Sequence, residues 1–319
     1  MGEPIEGVYL SAAFDLEEMF ARYFEPHRDR VRLRRPEAID DPLKVRFALA
    51  WRPAANAFAP YPALRLACSI AAGVDSIVNC PSLPKDAVVA RVRDENQADF
   101  MAGFAAWHVV WHHRNMRHHI VHQARQEWAR QGIDSFVPPR DCTVGILGFG
   151  LMGRAIARAV TGMGFKVAAA VRNAPAAPMA GVEYEAGTDA TMRVAARSDL
   201  LINVLPLTAE TRGLLDARFF AAMPRGSVLI QLGRGEHLVE RDLLAALDAD
   251  HLRAASLDVF EREPLPPEHP FWRHDRVLVT PHQASEPSSV LMAAQVAQAA
   301  QDVVAGMVPE TMVDRASGY

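Results

Sequence analysis

Cysteine and lysine are both scarce in this chain. Its three cysteines (Cys68, Cys80 and Cys142) are odd in number, widely spaced and without a C-x-x-C pair. That excludes a disulfide scaffold and fits a reducing compartment, each thiol serving as a small buried hydrophobe. Only three lysines accompany the many arginines, a bias of base composition rather than of function. No excess of positive charge exists: the formal net charge is −4, so composition offers no footprint for nucleic acid or an anionic membrane. No stretch of apolar residues is long enough to span a bilayer. The opening MGEPIEGVYLSAAFDLEEMF is acidic and lacks a basic region followed by an apolar one, so no secretory signal is expected and a cytoplasmic address follows. What is present is ordinary globular material, 50% hydrophobic and 23% charged over 319 residues, enough for about two domains.

The hydrophobic pattern divides the chain. Through residue 95, short apolar runs alternate with polar periodic segments: strands at Val8–Ala13, Phe47–Trp51 and Leu64–Ile70, and an amphipathic helix at Leu16–Tyr23. Asp94–Ala129 reads as one long helix, with Phe100, Phe104, Trp107, Val110 and Trp111 at helical spacing, and Ser135–Arg140 as a linker. From Cys142 strands and helices alternate: strands at 142–147, Lys166–Val171, Leu200–Leu205, Ser227–Leu232, Ala255–Val259 and Val277–Thr280, helices at Arg154–Gly162, Asp216–Met223 and Leu243–Leu247. This alternation predicts a parallel, doubly wound sheet, closed by a terminal helix at Ser288–Ala305.

Gly148-Phe149-Gly150-Leu151-Met152-Gly153 matches G-x-G-x-x-G, directly after a strand and opening a helix. Gly148 permits the tight turn, Gly150 lets backbone approach a pyrophosphate, and Gly153 lets helix and strand pack closely. Free N–H groups at the helix start favour the anion. The next strand ends Val171-Arg172-Asn173, with no carboxylate until Glu183. A carboxylate there would accept the ribose hydroxyls of NAD, whereas Arg172 can pair with the 2′-phosphate of NADP. NADP(H) is therefore the expected cofactor, with NAD(H) possible.

At this point the chain resembles the D-isomer-specific 2-hydroxyacid dehydrogenases, most closely their bacterial glyoxylate/hydroxypyruvate reductase A group. The resemblance is carried by AAGVDSI (71–77), ILGFGLMG (146–153), INVLPLTAETRGLLD (202–216), GRGEHLVERDLLAALD (233–248), LDVFEREPLPPEHPFW (257–272), TPHQAS (280–285) and the tail VDRASGY (313–319). It implies Arg234, Glu263 and His282 as the catalytic trio. Reduction of a 2-oxo acid delivers hydride to the carbonyl carbon and needs a proton for the developing alkoxide. Protonated His282 suits as the acid, and as base in reverse. Glu263 orients the ring and favours its charged form. Arg234 offers a planar fork of donors to the substrate carboxylate and carbonyl.

The same resemblance puts Ala72, Gly73 and Val74 in a substrate loop whose N–H groups meet the carboxylate, and Trp51 in a pocket wall that favours small substrates. It puts Asp258 toward the nicotinamide end, with Leu205 and Pro206 among the cofactor contacts, and it implies a homodimer. Departures occur at Gln231, Gly233, Gln283 and Ser285–Pro287, where the family usually carries other residues. The expected architecture is two doubly wound parallel-sheet domains: a Rossmann cofactor domain (96–286) inserted in a smaller flavodoxin-like substrate domain (1–95 plus 287–319). The active site is expected in the cleft between them, with hinges near 95 and 286. WHVVWHHRNMRHHIVH carries six histidines, with i,i+4 pairs at His108/His112 and His118/His122. No carboxylate or cysteine completes a metal set there and the reaction needs none, so no metal is expected. The expected function is NADPH-dependent reduction of glyoxylate to glycolate and hydroxypyruvate to D-glycerate. The alternatives are a reductase of larger 2-oxo acids such as phenylpyruvate and a non-catalytic nucleotide sensor on the same fold.

Overall fold

The structure, a computed structural model, describes residues 3–132 and 137–315. The start of the expected linker at Ser135 and the tail Ala316–Tyr319 lie outside the described residues. The chain divides into two compact units, Met1–Asn96 with Glu286–Tyr319, and Gln97–Ser285.

The first unit holds a five-stranded parallel sheet of β1 (Ile5–Ser11), β2 (Val31–Arg34), β3 (Phe47–Trp51), β4 (Leu66–Ser69) and β5 (Val88–Ala90), in the order β2-β1-β3-β4-β5. That is a flavodoxin-like order, with its switch point between β1 and β3. The central β3 and β4 are buried on both faces, which is why FALAW and LACS are nearly continuous apolar runs. Helix α1 (Leu16–Phe24) starts at Asp15, whose carboxylate accepts from the Glu18 N–H. Helix α2 (Asp75–Val78) follows the β4 turn. Asp94, buried, accepts from the N–H groups of Asn96 and Ser288, and so ties together the two points where the chain leaves and re-enters this unit.

The second unit opens with α3 (Glu95–His113) and α4 (Met116–Ala124), where the sequence predicts a single helix. The break falls at Asn115, which takes a left-handed φ of 48°, a conformation that asparagine tolerates better than most residues. The buried stripe of α3 is made mostly of small residues and two histidines. Ala98, Ala102, Ala105, His108, Val109 and His112 face inward, while Phe100 and Trp107 are more than half exposed. Small residues let the helix lie close to the sheet; Phe104 packs at its margin, while Phe100 and Trp107 point outward, Trp107 stacked on Trp111 at 5.1 Å between centroids.

Seven parallel strands follow: β6 (Thr143–Leu147), β7 (Lys166–Val171), β8 (Val182–Ala186), β9 (Leu200–Asn203), β10 (Ser227–Gln231), β11 (Leu252–Leu257) and β12 (Val277–Val279), in the order β12-β11-β10-β9-β6-β7-β8. Relabelled from β6, this is the dinucleotide-fold order 3-2-1-4-5-6 with one strand added, and the switch point lies between β6 and β9. Helix α5 (Leu151–Gly162) buries Ala155, Ile156 and Val160 on one face of the sheet beside α3. On the other face Phe219 and Phe220 of α7 (Ala217–Ala222) and Leu243 and Leu247 of α8 (Glu240–Asp248) fill the core with α6 (Ala190–Ala195). Helix α9 (Ser289–Val304), capped by Ser288, belongs to the first unit and packs on its β4 and β5.

Candidate active site

Every candidate residue of the second unit leaves the sheet at the carboxyl edge of its strand, the edge at which open parallel sheets bind ligands. Gly148 follows β6, Arg172 follows β7, Leu205 and Pro206 follow β9, Arg234 follows β10, Asp258 and Glu263 follow β11, and His282 follows β12.

The glycine loop is built as its spacing predicts. Gly148 takes φ +95°, and a Cβ on it would stand 2.9 Å from the Val204 carbonyl oxygen. A Cβ on Gly153 would collide with the carbonyl oxygen of Gly148, so glycine is what lets α5 seat against β6. Gly150 differs: nothing lies within 4 Å of its missing Cβ. Protein packing therefore does not require glycine there, whereas a ligand approaching the first turn of α5 does. Leu151, Met152 and Gly153 form that first turn, whose N–H groups have no intrahelical partner. Phe149 is half-buried against Tyr184, edge to face at 5.2 Å. These features fit a dinucleotide pyrophosphate.

At the end of β7 the exposed Arg172 supplies positive charge where NAD-binding folds carry a carboxylate. The nearby acids of β8 are already engaged, Glu183 with Arg197 and Glu185 with both Arg193 and Arg197.

Beyond β11 and β12, Nδ1 of His282 lies 2.9 Å from Oε2 of Glu263. The other oxygen, Oε1, accepts the Phe260 N–H at 3.0 Å, so the carboxylate is anchored to its own loop. His282 takes a left-handed φ of 54°, and its N–H donates to the Asp258 carbonyl at 2.8 Å. The buried Asp258 carboxylate accepts from the Thr280 hydroxyl and from the N–H groups of Gln283 and Ala284. Burial raises its pKa, and those three bonds with the charge of His282 work against the rise. The segment 280–284 is thus fixed around one carboxylate, which explains how His282 can hold a conformation that histidine rarely adopts.

Arg234 opens the loop after β10, and its half-buried guanidinium donates to the Gly233 carbonyl at 2.8 Å. A Cβ on Gly235 would collide with the backbone of Phe260 and Glu261, so the Arg-Gly pair lets this loop pass against the one that carries Glu263. Sequence reasoning missed the supports beneath it: Asn203, Gln231 and His237 are wholly buried and hydrogen-bonded to one another and to the Arg234 backbone. The signal was there in Asn203 and Gln231, polar residues that end otherwise apolar buried strands.

In the first unit Trp51 ends β3 at the switch point, half-buried among core side chains. Ala72, Gly73 and Val74 form the turn after β4, in which the Ser69 hydroxyl donates to the Gly73 carbonyl at 2.6 Å and accepts from the Ala71 N–H. Val74 is buried, whereas Ala72 and Gly73 are half-exposed. The histidine-rich segment serves helix packing: His108 and His112 both bond the Ser256 hydroxyl, and His122 pairs with Glu127.

A family model described as "D-isomer specific 2-hydroxyacid dehydrogenase, NAD binding domain" matches residues 106–284. The glyoxylate/hydroxypyruvate reductase A of Serratia proteamaculans is 37% identical over 278 residues, 86% of this chain and 87% of that protein. The chain belongs to the D-isomer-specific 2-hydroxyacid dehydrogenase family. A member from Xanthobacter autotrophicus Py2, solved with NADPH and MES, aligns over 99% of this chain and 100% of its own with 34% identity and a TM-score of 0.89. An NADPH-dependent glyoxylate/hydroxypyruvate reductase from Sinorhizobium meliloti, in complex with NADP and sulfate, has a TM-score of 0.88 at 31% identity, over 98% of this chain and 99% of its own. As a member of this family the chain is an NAD(P)-dependent oxidoreductase with a Rossmann domain. No helix among the described residues is long and apolar enough to cross a membrane.

Proposed function

We propose that the protein reduces small 2-oxo acids with NADPH, glyoxylate to glycolate and hydroxypyruvate to D-glycerate. The observation that carries the reading is the His282–Glu263 pair, delivered with Arg234 to one edge by three neighbouring strands, β10, β11 and β12. Gly148 to Gly153, Leu205, Pro206 and Asp258 would hold the cofactor on the second unit, with Arg172 on its 2′-phosphate. When bound, the nicotinamide supplies the hydride. The chain supplies the rest. Arg234 binds the substrate carboxylate through its planar fork and polarises the carbonyl oxygen. His282, its Nδ1–H directed at Glu263, presents Nε2 to that oxygen and gives it a proton as hydride arrives. Glu263, fixed by Phe260 N–H, balances the imidazolium and keeps the ring from turning. Ala72 and Gly73 offer backbone N–H groups to the carboxylate, Val74 packs beneath them, and Trp51 limits the side chain.

Family names from Serratia proteamaculans and Sinorhizobium meliloti support this substrate class and cofactor. Chiral analysis of the product from hydroxypyruvate and NADPH tests it: D-glycerate is expected, and L-glycerate or no glycerate overturns it. We also propose a cytoplasmic homodimer that uses the outward face of α3 and α4. Phe100, Trp107, Val110 and Ile120 are still partly exposed there, and burying the remainder of each would return on the order of 1 kcal/mol. The three buried, unbridged thiols agree with a reducing compartment.

A further inference from the structure

His237 lies three residues after Arg234, with none of its surface exposed. Its Nδ1 accepts from the Arg234 backbone N–H at 3.1 Å and from Asn203 Nδ2 at 3.0 Å. Two donors aimed at Nδ1 leave that nitrogen without a proton, so the ring carries its hydrogen on Nε2. Nε2 in turn reaches the Pro206 carbonyl at 3.2 Å. One imidazole therefore joins the peptide that presents Arg234 to the segment Leu205–Pro206 after β9.

The neighbours complete this arrangement. Asn203 Nδ2 also donates to Gln231 Oε1 at 2.8 Å, and Asn203 Oδ1 accepts the Leu205 N–H at 3.1 Å. Gln231 Nε2 donates to the Arg234 carbonyl at 2.9 Å. The Arg234 N–H is thus taken by a side chain, and its C=O by the Gln231 side chain together with the His237 N–H at 3.1 Å. Gly233 belongs to the same fit, for a Cβ on it would stand 2.9 Å from His237 Nδ1 and 3.1 Å from the Leu205 carbonyl oxygen. The departures noted in the sequence thus fall in this network, Gly233 against the ring and Gln231 one bond removed from it through Asn203.

We infer that His237 is a positioning residue for Arg234: it fixes the backbone from which the guanidinium projects and holds it in register with the Leu205–Pro206 segment. The inference rests on the reductase reading for what Arg234 does, but not for the geometry. The side chains that replace parts of an imidazole separate its two bonds. Asparagine keeps an acceptor at the Nδ1 position and loses the reach to Pro206; glutamine keeps a donor at the Nε2 position and loses the acceptor for Arg234.

The test compares His237→Asn, His237→Gln and His237→Leu by steady-state kinetics and by hydrogen exchange of the Arg234 amide without substrate. The expected result is that Gln and Leu raise KM for the 2-oxo acid about 10- to 100-fold and speed exchange at Arg234 by a similar factor, while Asn restores both toward the parent. NADPH affinity and melting midpoint of the Asn and Gln variants stay close to each other. Equal effects of all three substitutions, or unchanged exchange at Arg234 in the Leu variant, overturn the positioning role. Exchange that responds as expected in a protein that turns over no 2-oxo acid keeps the positioning role and overturns the reductase reading instead.

Discussion

The imidazole Nδ1 of His282 and the carboxylate Oε2 of Glu263 meet at 2.9 Å across nineteen residues of sequence. Both groups are held independently of each other. Glu263 is tied by the Phe260 N–H, and His282 by a backbone bond to Asp258 and by the loop that Asp258 gathers. The pair is therefore assembled before any substrate arrives, which is what a group that transfers a proton in the transition state requires.

Replacing His282 should abolish chemistry and spare binding. His282→Asn tolerates the left-handed backbone and removes the acid, and kcat should fall about 100-fold or more while NADPH still binds. Glu263→Gln keeps a hydrogen bond but removes the charge, and kcat should fall by about 10-fold or more. Cofactor fluorescence titration and steady-state rates check both. Unchanged turnover of the Asn variant would remove His282 from its role.

The two glycines of the loop should fail in different ways. Gly150→Ala adds a Cβ that meets no protein atom, so the melting temperature should hold while dinucleotide affinity drops. Gly153→Ala meets the Gly148 carbonyl, so stability itself should fall by roughly 1–3 kcal/mol. Thermal melts with and without NADPH separate the two effects.

Much of this is legible in the sequence, and what is not has distinct physical causes. The buried strands β3, β6, β7, β9 and β10 announce themselves as apolar runs because both their faces are covered. Strands β2, β5 and β8 were missed, and all three lie at sheet edges. The sequences VRLR and VEYEA carry charge because an edge faces water, and charge hides a strand from a hydrophobicity pattern. The helix expected over Asp94–Ala129 is broken at Asn115, and of its apolar stripe Phe100, Trp107 and Val110 face outward while Phe104 packs on the core. Periodicity identifies an apolar face but not what covers it. The trio Arg234, Glu263 and His282 was legible from motif spacing, whereas the ring of His237 beneath Arg234 was not, since Asn203 and Pro206, two of its partners, come from the end of β9, more than thirty residues away.

Arg172 sets the cofactor preference in this account. A charge-assisted bond to the 2′-phosphate is worth about 1.5–3 kcal/mol, or roughly 10- to 150-fold in affinity. Arg172→Asp should lower NADPH affinity by about that factor and move preference toward NADH. Dissociation constants for both cofactors check it, and an unaltered NADPH affinity would contradict the role.

Acid should weaken the fold through the helix α3 histidines. Burial first, and for His112 also the charges of His108 and Arg253, lowers their pKa values from the ordinary 6.5 to about 4 for His108 and about 3 for His112. The unfolded chain takes up these protons on falling below about pH 6.5, while the folded chain does not until near pH 4. Stability is therefore lost as pH falls through that window, by about 1–3 kcal/mol per histidine. Urea unfolding at about pH 7 and about pH 4.5 should show a smaller acid loss in the His108→Gln, His112→Gln double variant. An equal loss in parent and variant would contradict the assignment.

The most direct test of the central claim is the initial rate of NADPH and NADH oxidation with glyoxylate, hydroxypyruvate, pyruvate and phenylpyruvate. Rapid NADPH oxidation is expected with glyoxylate and hydroxypyruvate, slower rates with NADH, and the slowest with phenylpyruvate. Preference for phenylpyruvate would contradict the narrow pocket at Trp51. Cofactor binding with no turnover of any of the four would contradict the reductase and leave a nucleotide sensor in its place.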